Sequence, residues 1–343
     1  MLEGVKSKSK SEKHEAKIQK LRNLKTDDEK IGSVSVCFDD EFSIGTGCGG
    51  TSVYVGLHDD GSEVAVKRIL THVLLKGDDV TIGNLVELKR SDYIVNYRGF
   101  ISRKTFSYVI LDLCEETLAD YIERFSKEEL QRRCPEIIRQ ILAGLSALHC
   151  GETIVLHRDL KPWNVLVDTE GHMRLSDFGV SKMLDGSQTT LFTGAKGTPG
   201  WRAAESIQNV DGATVKFNRK SDIQVVGMIC FYILTKGGHP FGGRNERILN
   251  IAKGDPVYLD MLTDSNAKSF VSWLISHDID KRPYIEEAFD HPYIRLPHGT
   301  FLNLFRLLNI KYHVVKYYIK YYIVKYYSKY YRVKYHSMKI NVG

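Results

Sequence analysis

The chain has 343 residues, 43% hydrophobic and 26% charged. That is globular composition, large enough for two lobes or two domains, and it excludes disorder throughout, a collagenous repeat or a small disulfide scaffold. The net charge of +6 resolves by position: residues 1–30 carry +3, residues 301–343 carry +9 with no acid, and residues 31–300 are left at −6. A basic excess confined to the ends is no argument for a nucleic-acid surface in the body of the protein.

Residues 6–30 mix Lys, Ser and Glu, with Ile18, Leu21 and Leu24 at three-residue spacing. They fit a short helix or a disordered arm, a solvated tail being the favoured reading, without the apolar stretch of a signal peptide, so residues 1–33 are taken as a charged extension. From Val34 short β-type runs follow, at 42–45, 53–55 and 64–67, broken by Gly and Asp, with a further strand predicted over 105–113. The pattern then turns helical: Ile137, Ile138, Ile141, Leu142, Leu145 and Leu148 recur in steps of one, three and four, giving one apolar face. Strands first and helices after predict an α+β protein with a β-rich front lobe and a helical back lobe.

The longest apolar run, 225–234, is too short for a membrane span and reads as a buried helix. The cysteines Cys37, Cys48, Cys114, Cys134, Cys150 and Cys230 form no Cys-x-x-Cys pair, which predicts reduced thiols and a cytoplasmic location. Residues 311–337 are three nine-residue Lys/Tyr units holding ten of the 19 tyrosines. This stretch, within a tail taken as 299–343, reads as a low-complexity extension rather than an RNA-binding module.

The chemistry lies between these ends. Gly45, Gly47 and Gly50 sit between two strand-like runs, where a hairpin can close over phosphates with its backbone N–H groups. A dinucleotide site would need a helix next, but a strand follows, and Lys67 ends the one after it, suited as a point charge on phosphates. His157-Arg158-Asp159-Leu-Lys161-Pro-Trp-Asn164 comes next, then Asp177-Phe178-Gly179. Asp177 and Asn164 offer hard oxygen ligands to Mg²⁺, Asp159 can take a hydroxyl proton, and Lys161 can neutralise charge on a moving phosphoryl group.

Over about 38–295 this set resembles the eukaryotic-type serine/threonine protein kinases, in order and in spacing. The resemblance implies a bilobal fold over 34–298, with a small β-rich N-lobe holding one helix (about 34–111) and a larger helical C-lobe (about 115–298). It implies ATP and Mg²⁺ as cofactors. It also implies Ile44, Gly45, Gly47, Gly50, Ala65, Lys67, Asp112, Cys114 and Leu166 around the nucleotide, with Leu111 as gatekeeper and 112–114 as hinge. It further implies a structural pair, Glu205 with Arg282, and Asp222 bracing the catalytic loop from a buried helix. Val64-Ala-Val-Lys-Arg-Ile, Leu113-Cys114 followed by Glu-Glu-Thr-Leu, and Gly238-His239-Pro-Phe241-Gly are similar to the unfolded-protein-response kinase/endoribonucleases and the 2-5A-dependent ribonuclease. Too few residues follow Arg295 for a ribonuclease domain of that kind, so the nuclease is expected to be absent. Back-to-back homodimers are what this resemblance implies.

Two departures stand out. The acid expected to hold Lys67 falls at Asn84 by apolar register, or at Glu87 as the nearest acid, and an amide there predicts weak or conditional transfer. Ala204 stands where the motif usually has Pro, with little effect expected. Ser187, Thr189, Thr190 and Thr193 form a candidate autophosphorylation loop, with Arg158 able to bind a phosphate placed there. The leading reading is a serine/threonine kinase. The alternative is a nucleotide-binding scaffold signalling by conformation or dimerisation, and a kinase-controlled ribonuclease is disfavoured by length.

Overall fold

The computed structural model describes residues 10–24, 30–47, 50–74, 91–150, 154–184, 189–193, 196–207 and 215–295. Asn84, Glu87, Ser187, Cys48 and the Lys/Tyr tail lie outside the described residues.

The front lobe is a seven-stranded antiparallel sheet. Its strands are β1 (Lys30–Ile31), β2 (Val34–Val36), β3 (Ser43–Gly47), β4 (Thr51–His58), β5 (Glu63–Leu70), β6 (Tyr97–Ser102) and β7 (Phe106–Asp112). The order is β1-β2-β4-β5-β7-β6, and β3 also pairs with β4. The runs predicted at 53–55, 64–67 and 105–113 fall in β4, β5 and β7. In β5, Val64, Ala65 and Val66 are all buried, while Val53 and Leu111 pair across from Lys67 and Ala65 on the flanking strands. Helix α2 (Thr71–Leu74) follows β5.

The solvated arm expected of residues 6–30 is overturned where the chain is described. Helix α1 (Glu15–Asn23) packs on β4, with Ile18 at 0% and Leu21 at 6% exposure in the sheet's core. Two apolar residues one helical turn apart are enough to dock a charged helix when a sheet offers a matching surface. Leu24, the third of that spacing, is exposed.

A short strand, β8 (Cys114–Thr117), leads into the back lobe and pairs with β10 (Val165–Asp168), which pairs with β11 (Met173–Leu175). Helix α3 (Leu118–Glu123) starts at a capping box on Thr117. Helix α4 (Lys127–His149) starts at a second, Ser126 with Glu129, and its predicted apolar face is buried in full. Helix α5 (Arg219–Leu234) contains the apolar run and is buried from Ser221 to Leu234, as expected of a central helix. At Gly227 an added Cβ would stand 2.6 Å from Ile275 and 2.7 Å from Leu274, so only glycine lets α5 meet the end of α7 (Ser265–Leu274). Helices α6 (Arg247–Lys253) and α8 (Ile285–Phe289) complete the described helices of this lobe. Among the described residues no helix is long and apolar enough to cross a membrane.

Candidate active site

The catalytic stretch follows β9 (Ile154–Leu156) and is braced from the core. Asp222, fully buried on α5, accepts from the backbone N–H of His157 (3.0 Å), that of Arg158 (3.0 Å) and Nε2 of His149 (2.8 Å). Burial opposes its ionisation, but the His149 hydrogen bond and the nearby histidines outweigh it and hold the carboxyl below its ordinary range. Arg158 takes a left-handed φ of 69°, which turns the loop at this point. Nε2 of His157 faces the Ser176 carbonyl at 3.0 Å and must donate to it, leaving Nδ1 to accept from the Asp159 N–H. Burial depresses the His157 pKa, in keeping with a neutral ring.

Asp159 is the hub of the candidate catalytic cluster. Its Oδ1 accepts from the Thr198 N–H (2.8 Å) and hydroxyl (2.7 Å), and its Oδ2 from Lys161 Nζ (2.9 Å) and Asn164 Nδ2 (3.0 Å). Lys161 Nζ also donates to Thr198 Oγ1 at 2.6 Å. Thr198 comes this close because Gly197 has φ +99° and an added Cβ there would lie 2.6 Å from the Arg158 carbonyl oxygen. Residue types alone do not reveal the bridge that Thr198 makes between Asp159 and Lys161; it emerges from folding.

Across the cleft, Lys67 on β5 donates to Asp177 Oδ1 at 2.8 Å. Asp177 has φ +60°, and Phe178 behind it is buried against His157 and Tyr97 with ring centroids 5.1 and 6.1 Å away. Burial works to raise the Asp177 pKa, but the Lys67 charge and hydrogen bond prevail and hold it low. Asn164 spends its amide hydrogens on the Asp159 carbonyl (2.8 Å) and carboxylate, which leaves its Oδ1 as the side-chain oxygen for a cation. Asp177 and Asn164 each offer a side-chain oxygen of the hard type that Mg²⁺ accepts.

The roof is β3 and β4. An added Cβ at Gly45 would meet nothing within 4 Å, and Gly50 has φ +75°. Ile44 is half-buried against the front-lobe core, Ala65 is buried and Leu166 half-buried. The hinge is held by its side chains: Asp112 accepts from Asn96 Nδ2 (2.7 Å) and Arg98 Nε (2.6 Å), and Arg174 lies 3.5 Å away. Cys114 is buried, which pushes its thiol up to about 12, so the residue is inert.

Glu205 and Arg282 form a bidentate pair at 2.9 Å on both arms, with the Arg282 side chain fully buried. Arg282 also donates to the carbonyls of Ser276, Lys220 and His277. The N–H of Ala204 donates to Gln224 Oε1 at 2.8 Å, a bond that a proline there could not make. Thr189 is exposed and Thr190 half-buried; Thr193 ends β13 (Leu191–Thr193), which pairs with β14 (Val215–Phe217). Trp163, between Lys161 and Asn164, is 48% exposed and meets Trp201 edge-on, a feature the sequence pattern did not single out.

A family profile described as the protein kinase domain matches residues 38–294. The serine/threonine-protein kinase/endoribonuclease IRE1 of Hypocrea jecorina is 34% identical over 78% of this chain and 24% of its own length. The serine/threonine-protein kinase/endoribonuclease ire-1 of Caenorhabditis elegans is 33% identical over 73% of this chain and 26% of its own length. The human relative IRE2 is 31% identical over 77% of this chain and 29% of its own length. The chain spans about a quarter of the length of these curated relatives. It belongs to the protein-kinase family.

Proposed function

Proceeding from that membership, we propose that the chain transfers the γ-phosphoryl group of Mg²⁺-bound ATP to serine or threonine hydroxyls of proteins. The working domain is 34–298, and its own activation loop is among the substrates. The observation that carries this reading is the Asp159–Lys161–Thr198–Asn164 cluster facing Lys67 and Asp177. Asp159 takes the proton of the incoming hydroxyl. Lys161, beside it, meets charge developing on the transferred group, and Lys67 holds the nucleotide's phosphates. A bond forms from the hydroxyl oxygen to phosphorus, the bond to the bridging oxygen breaks, and ADP leaves. Asn164 and Asp177 would hold Mg²⁺, which would supply positive charge against the phosphate oxygens.

Several finer points belong to the same proposal. Homodimers are proposed from the likeness to the kinase/endoribonucleases. A cytoplasmic site is proposed from the free thiols Cys114, Cys134, Cys150 and Cys230.

Radiolabel transfer from Mg²⁺·ATP to a generic protein substrate and to the chain itself tests this, with nucleotide binding measured in parallel. Asp159→Asn should lower transfer by about 10³-fold or more while binding persists. Binding without transfer in the wild type would leave the scaffold reading in its place.

A further inference from the structure

The amino-terminal arm ends up against the parts of the molecule that are expected to hold the adenine and the phosphates. Glu115, the residue after Cys114 of the hinge, accepts from Ser11 Oγ (3.1 Å), the Glu12 N–H (3.1 Å) and the Lys13 N–H (2.9 Å). Glu63, at the start of the strand that carries Lys67, accepts from the N–H groups of Lys10 and Ser11 (3.1 Å each) and from Arg22 (3.1 Å). Lys17 Nζ donates to the carbonyls of Glu41 (2.8 Å) and Ser43 (2.6 Å). Ser43 opens β3, two residues before Gly45. Between these points α1 is pinned by the burial of Ile18 and Leu21.

We propose that residues 10–24 are a strap that positions the hinge and the root of the glycine-rich strand for ATP, with Glu115 and Lys17 as its positioning residues. The proposal rests on the kinase reading above.

The physical case is one of linkage through a stiff element. A helix with two buried anchors does not bend between its contacts, so the hinge carboxylate, the foot of β5 and the foot of β3 are tied to one body. The ties are charge-assisted: a carboxylate on backbone N–H groups at one end and an ammonium on two carbonyls at the other. Such bonds are shorter and roughly twice as strong as neutral ones. Glu115 also lies at the amino end of α1, where the helix dipole favours an anion. On its inner side the hinge is fixed by Asn96 and Arg98 on Asp112. The strap fixes the outer side, so the backbone at 112–114 is held from both. Nucleotide affinity depends on keeping that backbone and the β3 turn at a set distance, because a binding site not held in its competent geometry loses affinity in proportion to the fraction misplaced.

The test uses the full chain with Lys17→Met, Glu115→Gln, the double variant and Lys17→Arg. ATP affinity is measured by calorimetry, transfer is resolved into KM for ATP and kcat, and circular dichroism is recorded at the assay temperature. Lys17→Met and Glu115→Gln should each raise the Kd and KM for ATP by about fivefold to twentyfold and leave kcat within about twofold, a split that lost ground-state positioning gives. The double variant should be little worse than either single one, because both act through one strap. Lys17→Arg, which keeps the donors, should bind as the wild type does. Single variants that are folded, transfer phosphate and bind ATP within about twofold of the wild type would overturn the strap alone. A wild type that binds no ATP would overturn the kinase reading and the strap with it.

Discussion

The two sides of the cleft are held together by different means. On the catalytic side, Asp159 is bonded to Lys161 and Asn164, two and five residues away, and the loop is hung on one buried carboxylate, Asp222. On the proposed nucleotide side, hinge and glycine-rich strand are tied by an arm whose contacts join residues 21 to 104 positions apart. The first arrangement converges on one hub, Asp159, and one buried brace, Asp222. The second is spread over several separate ties and lies near the surface. The catalytic geometry should therefore fail all at once when its brace is removed, whereas the nucleotide side should loosen by degrees.

Removing the brace is the strongest way to break this contrast. Asp222→Ala strands two backbone N–H groups and His149 in the core, and should cost about 3–5 kcal/mol of stability together with transfer. Denaturant unfolding measures the first; if Asp222→Ala unfolds within about 1 kcal/mol of the wild type, the loop is held by something else. The same carboxylate predicts a pH signature. Its folded pKa lies below the ordinary 3.8, so its contribution is present above that value and lost as pH falls through the lower folded one. Asp222→Asn should flatten the acid limb of the stability profile below about pH 4.

Ala204 sharpens the comparison on the catalytic side at intermediate cost. The residue types suggest that alanine in place of the usual proline matters little, and its steric side is indeed mild. What the residue type hides is a donor: the Ala204 N–H satisfies buried Gln224, whose own amide reaches the Ile275 carbonyl. Ala204→Pro should thus destabilise by about 1–3 kcal/mol rather than restore a better motif, because Gln224 Oε1 would be left buried without its donor. A melting temperature equal to the wild type's would refute that account.

These cases also explain what is legible before folding. The proposed catalytic residues stand in short strings whose residue types suit phosphoryl transfer, so the strings around Asp159, Lys161, Asn164 and Asp177 stand out in the sequence, as does Asp222 by its place in an apolar helix. Thr198 is visible as a letter but not as a bridge, since its value lies in a contact 39 residues back that Gly197 alone permits. The arm misleads for a related reason. Ile18 and Leu21 give a helical spacing, but the surrounding lysines and glutamates are what a solvated segment also carries. Only the surface of β4, together with Glu63 and Glu115, decides that the charges have partners. Composition reports that charges are present; it does not report whether carboxylates wait for them elsewhere.

The smallest predicted effect tests which of the arm's charges matter. Lys20 and Glu41 form an ion pair at 2.7 Å, shorter than most among the described residues, yet their side chains are 64% and 52% exposed. Water and salt screen such a pair, and the entropy of holding two long side chains offsets much of the attraction. Lys17, one turn earlier, places its ammonium on two backbone carbonyls instead. Lys20→Ala should therefore change stability by no more than about 0.5 kcal/mol and leave ATP affinity untouched, although it deletes the closer contact to Glu41. If Lys20→Ala weakened ATP binding as much as Lys17→Met, the arm would be acting as a diffuse charged cover, and its particular bonds to the β3 root and the hinge would lose their claim to a role.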